Sequence, residues 1–285
     1  MTAASPVQTL WSHTHPSPWR GLSLARERGL VLAWDDQHIL HLFNRRGELQ
    51  GRWSSPDELT DAACADDGTA LAATGAGGKV WLLAPDLTVR WERRVPGRAV
   101  SVAVETLARA VAVGDGAGTL NLFDRHGTTV WQALNPRPLH YLAFVPEEPR
   151  LVVASDFGLV AGYDPAGQCV WRDGLVSHVG SLAVSGDGTS VVLACFSEGL
   201  CCYHDGDAKS RRFLPRTAPV HLAALSYDGK TLLTTDREHL LVWRNADGTI
   251  RREMTVESKP VALALAATGD RALVAFADGR LAALE

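Results

Sequence analysis

At 285 residues, 46% hydrophobic and 21% charged, the chain has the composition of a folded globular protein rather than a disordered one. Its formal net charge of −4 argues against a dedicated binder of nucleic acid or of an anionic membrane surface. The run of about 18 apolar residues that a spanning helix needs does not occur, so no membrane helix is expected.

In chain order, the first segment, MTAASPVQTLWSHTHPSPW, lacks the basic start, apolar stretch and cleavage site of a secretory leader, and a cytoplasmic location is expected. His13-Thr14-His15 places two imidazoles on one side of an extended segment, a pair that could ligate a metal. No third ligand is identifiable, so a solvated loop pair is expected and no metal is assigned. The five cysteines (Cys64, Cys169, Cys195, Cys201, Cys202) are odd in number and sit in apolar strand patterns. They read as small core residues in a reducing compartment, not as a disulfide framework.

Beyond that segment the chain repeats. Hairpins such as Ala62 to Thr74, Ser181 to Phe196 and Leu222 to Thr235 turn at Asp67-Gly68, Asp187-Gly188 and Asp228-Gly229. Each precedes a second hairpin of the kind seen in Thr119 to Trp131, TLNLFDRHGTTVW, where Gly127 supplies the positive φ of the turn. The strand before that glycine turn ends at Phe43, Leu83, Phe123, Tyr163, Tyr203, Trp243 and Leu284, at intervals of 40 and once 41 residues. The strand after it is anchored by Trp11, Trp53, Trp91, Trp131, Trp171, Phe213 and Met254, at intervals of 38 to 42.

Four strands per repeat, here a to d, and seven repeats without a helix predict an all-β fold: a seven-bladed β-propeller of four-stranded antiparallel blades. The blades run roughly 17–53, 54–93, 94–133, 134–173, 174–214, 215–256 and 257–285, the last completed by residues 7–13, and together they form a single domain. The d series starts at Trp11, before any a strand, so Thr9 to Ser12 is expected to pair with Arg280 to Leu284 and close the ring. Burial of Leu10 and Trp11 at roughly 2 kcal/mol each, with about four ladder bonds near 1 kcal/mol each, gives the closure roughly 8 kcal/mol.

The stretches Leu182 to Gly188 and Ala224 to Gly229 resemble the strand a to strand b turn of WD40 repeats. Ala161 to Trp171, AGYDPAGQCVW, and Leu122 to Trp131 resemble the tryptophan-docking motif of quinoprotein (PQQ)-like propellers, each one residue short between aspartate and glycine. The chain departs from WD40 blades in lacking the Gly-His before strand a and the Trp-Asp closing strand c; Trp34-Asp35 falls in another strand. The resemblance implies a divergent propeller held by packing between blades more than by the family's buried Asp-His-Ser/Thr-Trp network. It also implies use as a scaffold for protein partners. The Ala-, Arg- and Trp-rich, Lys-poor composition suggests a high-GC bacterial source.

No catalytic residue, cofactor or metal site is assigned. Cys201-Cys202 could match the adjacent-cysteine disulfide of some quinoprotein dehydrogenases, yet neighbours in a strand point to opposite faces, and no calcium-quinone ligand set assembles. Gly75 to Gly78 and Gly114 to Gly118 read as b–c turns rather than phosphate loops. Propeller geometry puts the d–a loops and b–c turns on one face around the channel mouth. Repeat alignment sets Arg20, Thr60, Val100, His140, Gly180, His221 and Ala262 at the entry to the channel-lining strands. The turns add Asp36, Asp115, Asp156, Asp236 and Asp278, and the loops add Arg94, Arg98, Arg137 and Arg216. Such mixed charge suits a protein surface better than a phosphate backbone. The expected function is therefore a non-catalytic adaptor, monomeric on its own, docking a protein or peptide on this face, with nucleic acid and membrane excluded as partners. The alternative is a small-ligand sensor or quinoprotein-like enzyme using the channel.

Overall fold

The computed structural model describes residues 7–214 and 219–285. Seven four-stranded antiparallel sheets, each with strands in the order a-b-c-d, span 19–54, 59–94, 99–134, 141–173, 179–213 and 222–255, the seventh combining 260–284 with Thr9–Thr14. Among the described residues no helix is long and apolar enough to cross a membrane.

Alternation in the outer strands and continuous burial in strands b and c explain the architecture. Strand b of blade 2, Leu71–Gly75, and strand b of blade 7, Ala272–Phe276, are buried throughout. Strand d of blade 3, Thr129–Leu134, alternates between exposed and partly buried residues. A strand covered on both faces reads as a continuous apolar run, and an outer strand alternates. The inner strands therefore need a neighbouring blade on each side. Buried side chains form seven apolar clusters, one at each blade interface, as with Trp81 and Leu83 against Leu32 and Leu42.

Tryptophans of strand d fix the angle between blades. Trp91 and Trp131 donate their indole N–H to the carbonyls of Arg125 and Pro165 in the next blade, at 3.1 and 2.9 Å. Trp131 fills the place a Cβ on Gly167 would need, and Arg93 with Trp91 crowds that of Gly127; the two glycines hold φ near +80° and +78°. The docking motif expected from the spacing is thus built, despite its shortened turn. In blade 2 the glycine position is taken by Leu87 at φ +67°, and Trp53 instead meets Trp81 edge-on, with ring centroids 5.4 Å apart.

The N-terminal strand closes the ring, with Trp11 opposite Ala283 and Thr14 opposite Arg280. Three expectations need correction. Leu10 is 39% exposed, because it alternates outward beside Trp11, so the closure loses that side chain's contribution. Cys169 is exposed in an outer strand, whereas the other four cysteines are buried. His15 is not a solvated loop residue: its ring packs between Trp19 and His41, with Nε2 3.8 Å from Asp35 Oδ2. Blade 1 adds a buried polar contact to the packing between blades. Asp35, ending strand b at Leu30–Asp35, accepts N–H bonds from Gln37 and Ile39 on one oxygen and from His41 Nε2 (2.8 Å) on the other.

Candidate functional site

Backbone hydrogen bonds lock the b–c turns to the d–a loops on one face. Asp36, Ala76 and Gly116 donate N–H to the carbonyls of Pro18, Glu58 and Arg98 at 3.1, 2.8 and 2.7 Å. Loops held in this way on a rigid scaffold present side chains with little ordering cost.

Arg20, Asp36, Arg98 and His140 line the mouth of the central channel. Arg98 Nη2 bonds Glu58 Oε1 at 3.0 Å, and His140 lies 3.8 Å from Asp156. Farther out, Arg137 stacks on Phe157 at 5.6 Å, and Arg94 is exposed at the end of strand d of blade 2. His221 accepts Arg237 Nε–H at 3.2 Å and meets Phe196 edge-on at 4.5 Å. Burial, then the charges of Arg237 and Lys259, push the His221 imidazole below its ordinary range. Asp236 and Asp278 spend one oxygen each on backbone N–H groups of their own turns, those of Leu240 and Glu238 for the first and of Arg280 for the second. Arg216 lies outside the described residues.

Two of the expected positions move. Asp115 is fully buried, and its Oδ1 caps the N–H groups of Ala117 and Thr119 at 3.0 and 2.8 Å, so it is not part of the docking surface. Pairing of Gly21 with Trp34 and of Ala262 with Ala275 shows that Val261, not Ala262, matches Arg20 at the channel entry.

Sequence reasoning passed over two groups. His15, Asp35 and His41 bring their ligand atoms within 4.8 Å of one another. Arg52 Nε–H, however, points at His41 Nδ1 from 3.3 Å, which leaves the His41 proton on Nε2 and donated to Asp35. A metal on Nε2 would displace that proton onto a nitrogen already accepting a bond, so the group is a hydrogen-bonded clasp. Burial outweighs the Asp35 bond and lowers the His41 pKa.

The second is Asp61, in strand a of blade 2 at Leu59–Cys64, in the channel wall. Its carboxylate accepts Ala62 N–H on Oδ1 and Val102 N–H on Oδ2, both at 2.9 Å. Burial pushes its pKa up to about 7. Its signal in the sequence was a carboxylate exactly one repeat, or a multiple of it, from Ser101, Tyr141 and Ser181. At the opposite mouth burial also raises Asp66, offset by Arg26, and drives the Cys64 thiol up to about 12.

Residues 116–285, more than half of the chain, match the PQQ-like repeat family model described as outer membrane protein assembly factor BamB. The chain belongs to that family. No curated protein matches it. The BamB-like family is one of PQQ-like repeats, yet the channel does not suit a calcium-bound quinone. Calcium takes six to eight oxygen ligands, whereas of the carboxylates lining the channel Asp36 is bonded by Gln37, Glu58 is held by Arg98 and Asp66 lies beside Arg26, which leaves Asp61 as a single carboxylate in the wall. Cys201 and Cys202 turn into different interface clusters, which keeps their sulfurs apart.

Proposed function

We propose that this BamB-like propeller is a non-enzymatic scaffold that docks a protein or peptide on the face formed by its d–a loops and b–c turns. The observation that carries this reading is that large apolar side chains stand exposed on that face. Leu134, at the end of strand d of blade 3, is 77% exposed, and Val176, in the d–a loop after blade 4, is 85% exposed. Between their blades Arg137 lies over Phe157, whose ring meets His178 at 5.0 Å. Large exposed apolar side chains beside an arginine-covered aromatic, rimmed by charge, have the makeup of a protein-binding surface. The family description supports the same reading, since it concerns a factor in protein assembly.

The test is capture of the tagged protein from its native cells beside a variant with Arg94, Arg98, His140 and Asp156 changed to Ala. A stoichiometric partner held by the wild type and lost by the folded variant supports the reading. Equal recovery by both forms places docking elsewhere.

A further inference from the structure

We propose that the central channel is a binding site for a small organic cation, with the ammonium group held by the Asp61 carboxylate and the alkyl part lying along the apolar wall. Four residues spaced 40 apart form a row around the channel. Asp61, Ser101, Tyr141 and Ser181 occupy equivalent positions in strand a of successive blades, opposite Thr74, Gly114, Ala154 and Ala194. Each ties its blade to the next. Asp61 accepts Val102 N–H at 2.9 Å, Ser101 donates to Leu139 O at 2.6 Å, Tyr141 donates to Val179 O at 2.9 Å, and Ser181 accepts Ala223 N–H at 2.7 Å.

Three of the four do this with a neutral hydroxyl, and Ser181 accepts the same kind of backbone N–H that Asp61 accepts. The negative charge on Asp61 is therefore surplus to the structural task, and it is costly. A carboxylate enclosed by protein is destabilised unless a counter-charge compensates it. Among the described residues no lysine, arginine or histidine forms an ion pair with Asp61; Arg98 is engaged by Glu58. The remaining charge faces a channel.

That channel has a volume of about 930 Å³, within the range of small-molecule sites. Leu22, Leu142, Leu182, Ala223 and Leu263 contribute to its wall. A hydrated divalent cation would meet the carboxylate but leave the apolar wall without a partner. An alkylammonium satisfies both parts of the site, with charge against Asp61 and methylenes against the leucines. Protein docking on the outer loops neither requires nor excludes this.

Titration calorimetry with hexylammonium and with spermidine, using 1-hexanol as the uncharged control, tests the proposal on the full chain. Wild-type protein should bind at least one cation, about tenfold or more tighter than hexanol, and Asp61→Ser should lose that advantage. Serine is the residue the fold uses at the equivalent position in blades 3 and 5, so this variant retains the blade contact; Asp61→Asn and circular dichroism control for folding. Asp86→Asn, which removes an exposed turn carboxylate far from the channel, should leave binding unchanged. No binding of either cation, equal binding by Asp61→Ser, or equal binding of hexanol overturns the proposal.

Discussion

Trp11 stands over Gly47: its indole N–H reaches the Arg45 carbonyl at 3.2 Å, and its ring fills the place a Cβ on Gly47 would need. A residue near the start of the chain is thereby docked on the c–d turn of blade 1 while its strand completes blade 7. The contact is the same one that Trp91 makes with Gly127 and Trp131 with Gly167. Ring closure thus reuses the contact that sets the angle between ordinary blades.

Trp11→Ala should cost about 2 kcal/mol, from lost burial and a lost hydrogen bond. Deletion of residues 1–16 should be worse, because it exposes the edge of strand Arg280–Leu284. The expected outcome is a lowered melting temperature for the point variant and aggregation for the truncation, read by calorimetry and light scattering.

Gly127→Ala and Gly167→Ala should each destabilise the fold by about 1–3 kcal/mol, since both hold alanine at positive φ and press its Cβ against Arg93 and Trp91 in the first case and into Trp131 in the second. Gly174→Ala is the control. Nothing lies within 4 Å of its added methyl, and the expected change is within about 0.5 kcal/mol. Denaturant midpoints at constant slope separate the two cases.

His41→Ala should destabilise by about 2–4 kcal/mol near pH 8, because it leaves Asp35 Oδ2 buried without its donor. The His41 pKa is lowered in the folded state, so the unfolded chain binds the proton more readily. Wild-type stability from this group is complete above about pH 6.5 and falls as pH drops below that value. The gap between variant and wild type should therefore shrink on acidification, as followed by melting temperature from about pH 8 to pH 5.

Asp61 predicts the opposite sign. Its folded pKa is raised to about 7, so the destabilisation appears as pH rises from the ordinary carboxylate range through neutrality. Tyr141 acts on it across the channel from blade 4, two blades along, while the Glu58–Arg98 pair stands at one mouth and Asp66 with Arg26 at the other. Asp61→Ser should therefore gain about 1–2 kcal/mol at about pH 8, allowing for solvent screening of a partly accessible group, and little at about pH 5. A gain independent of pH contradicts the assignment.

The fold was legible because each blade interface needs a large side chain at a fixed place, and a repeat of 40 residues makes those places visible as Phe43, Phe123, Tyr163 and Trp131. The closing strand was legible for the same reason. Leu10 and Cys169 were not, since both lie in outer strands where only alternate residues turn inward and a one-residue difference in phase decides exposure. The turn acids failed in a similar way. Asp115 aligns with Asp35, the buried capping position, whereas Asp36 is the next residue along, and only the strand pairing separates them. The Asp35–His41–His15 clasp was hidden because ring closure brings His15, from the segment after the closing strand, onto the b–c hairpin of blade 1 that holds Asp35 and His41.

The most direct test of the docking account is site-specific photocrosslinking in the native cells, with a photoreactive phenylalanine placed at Arg20, Leu134 or Val176 and, in separate proteins, at the outer-strand residues Leu49 or Val130. The account predicts one discrete protein adduct from the loop-face positions and none from the outer strands. Adducts from the outer strands alone, or none from any position, would contradict it.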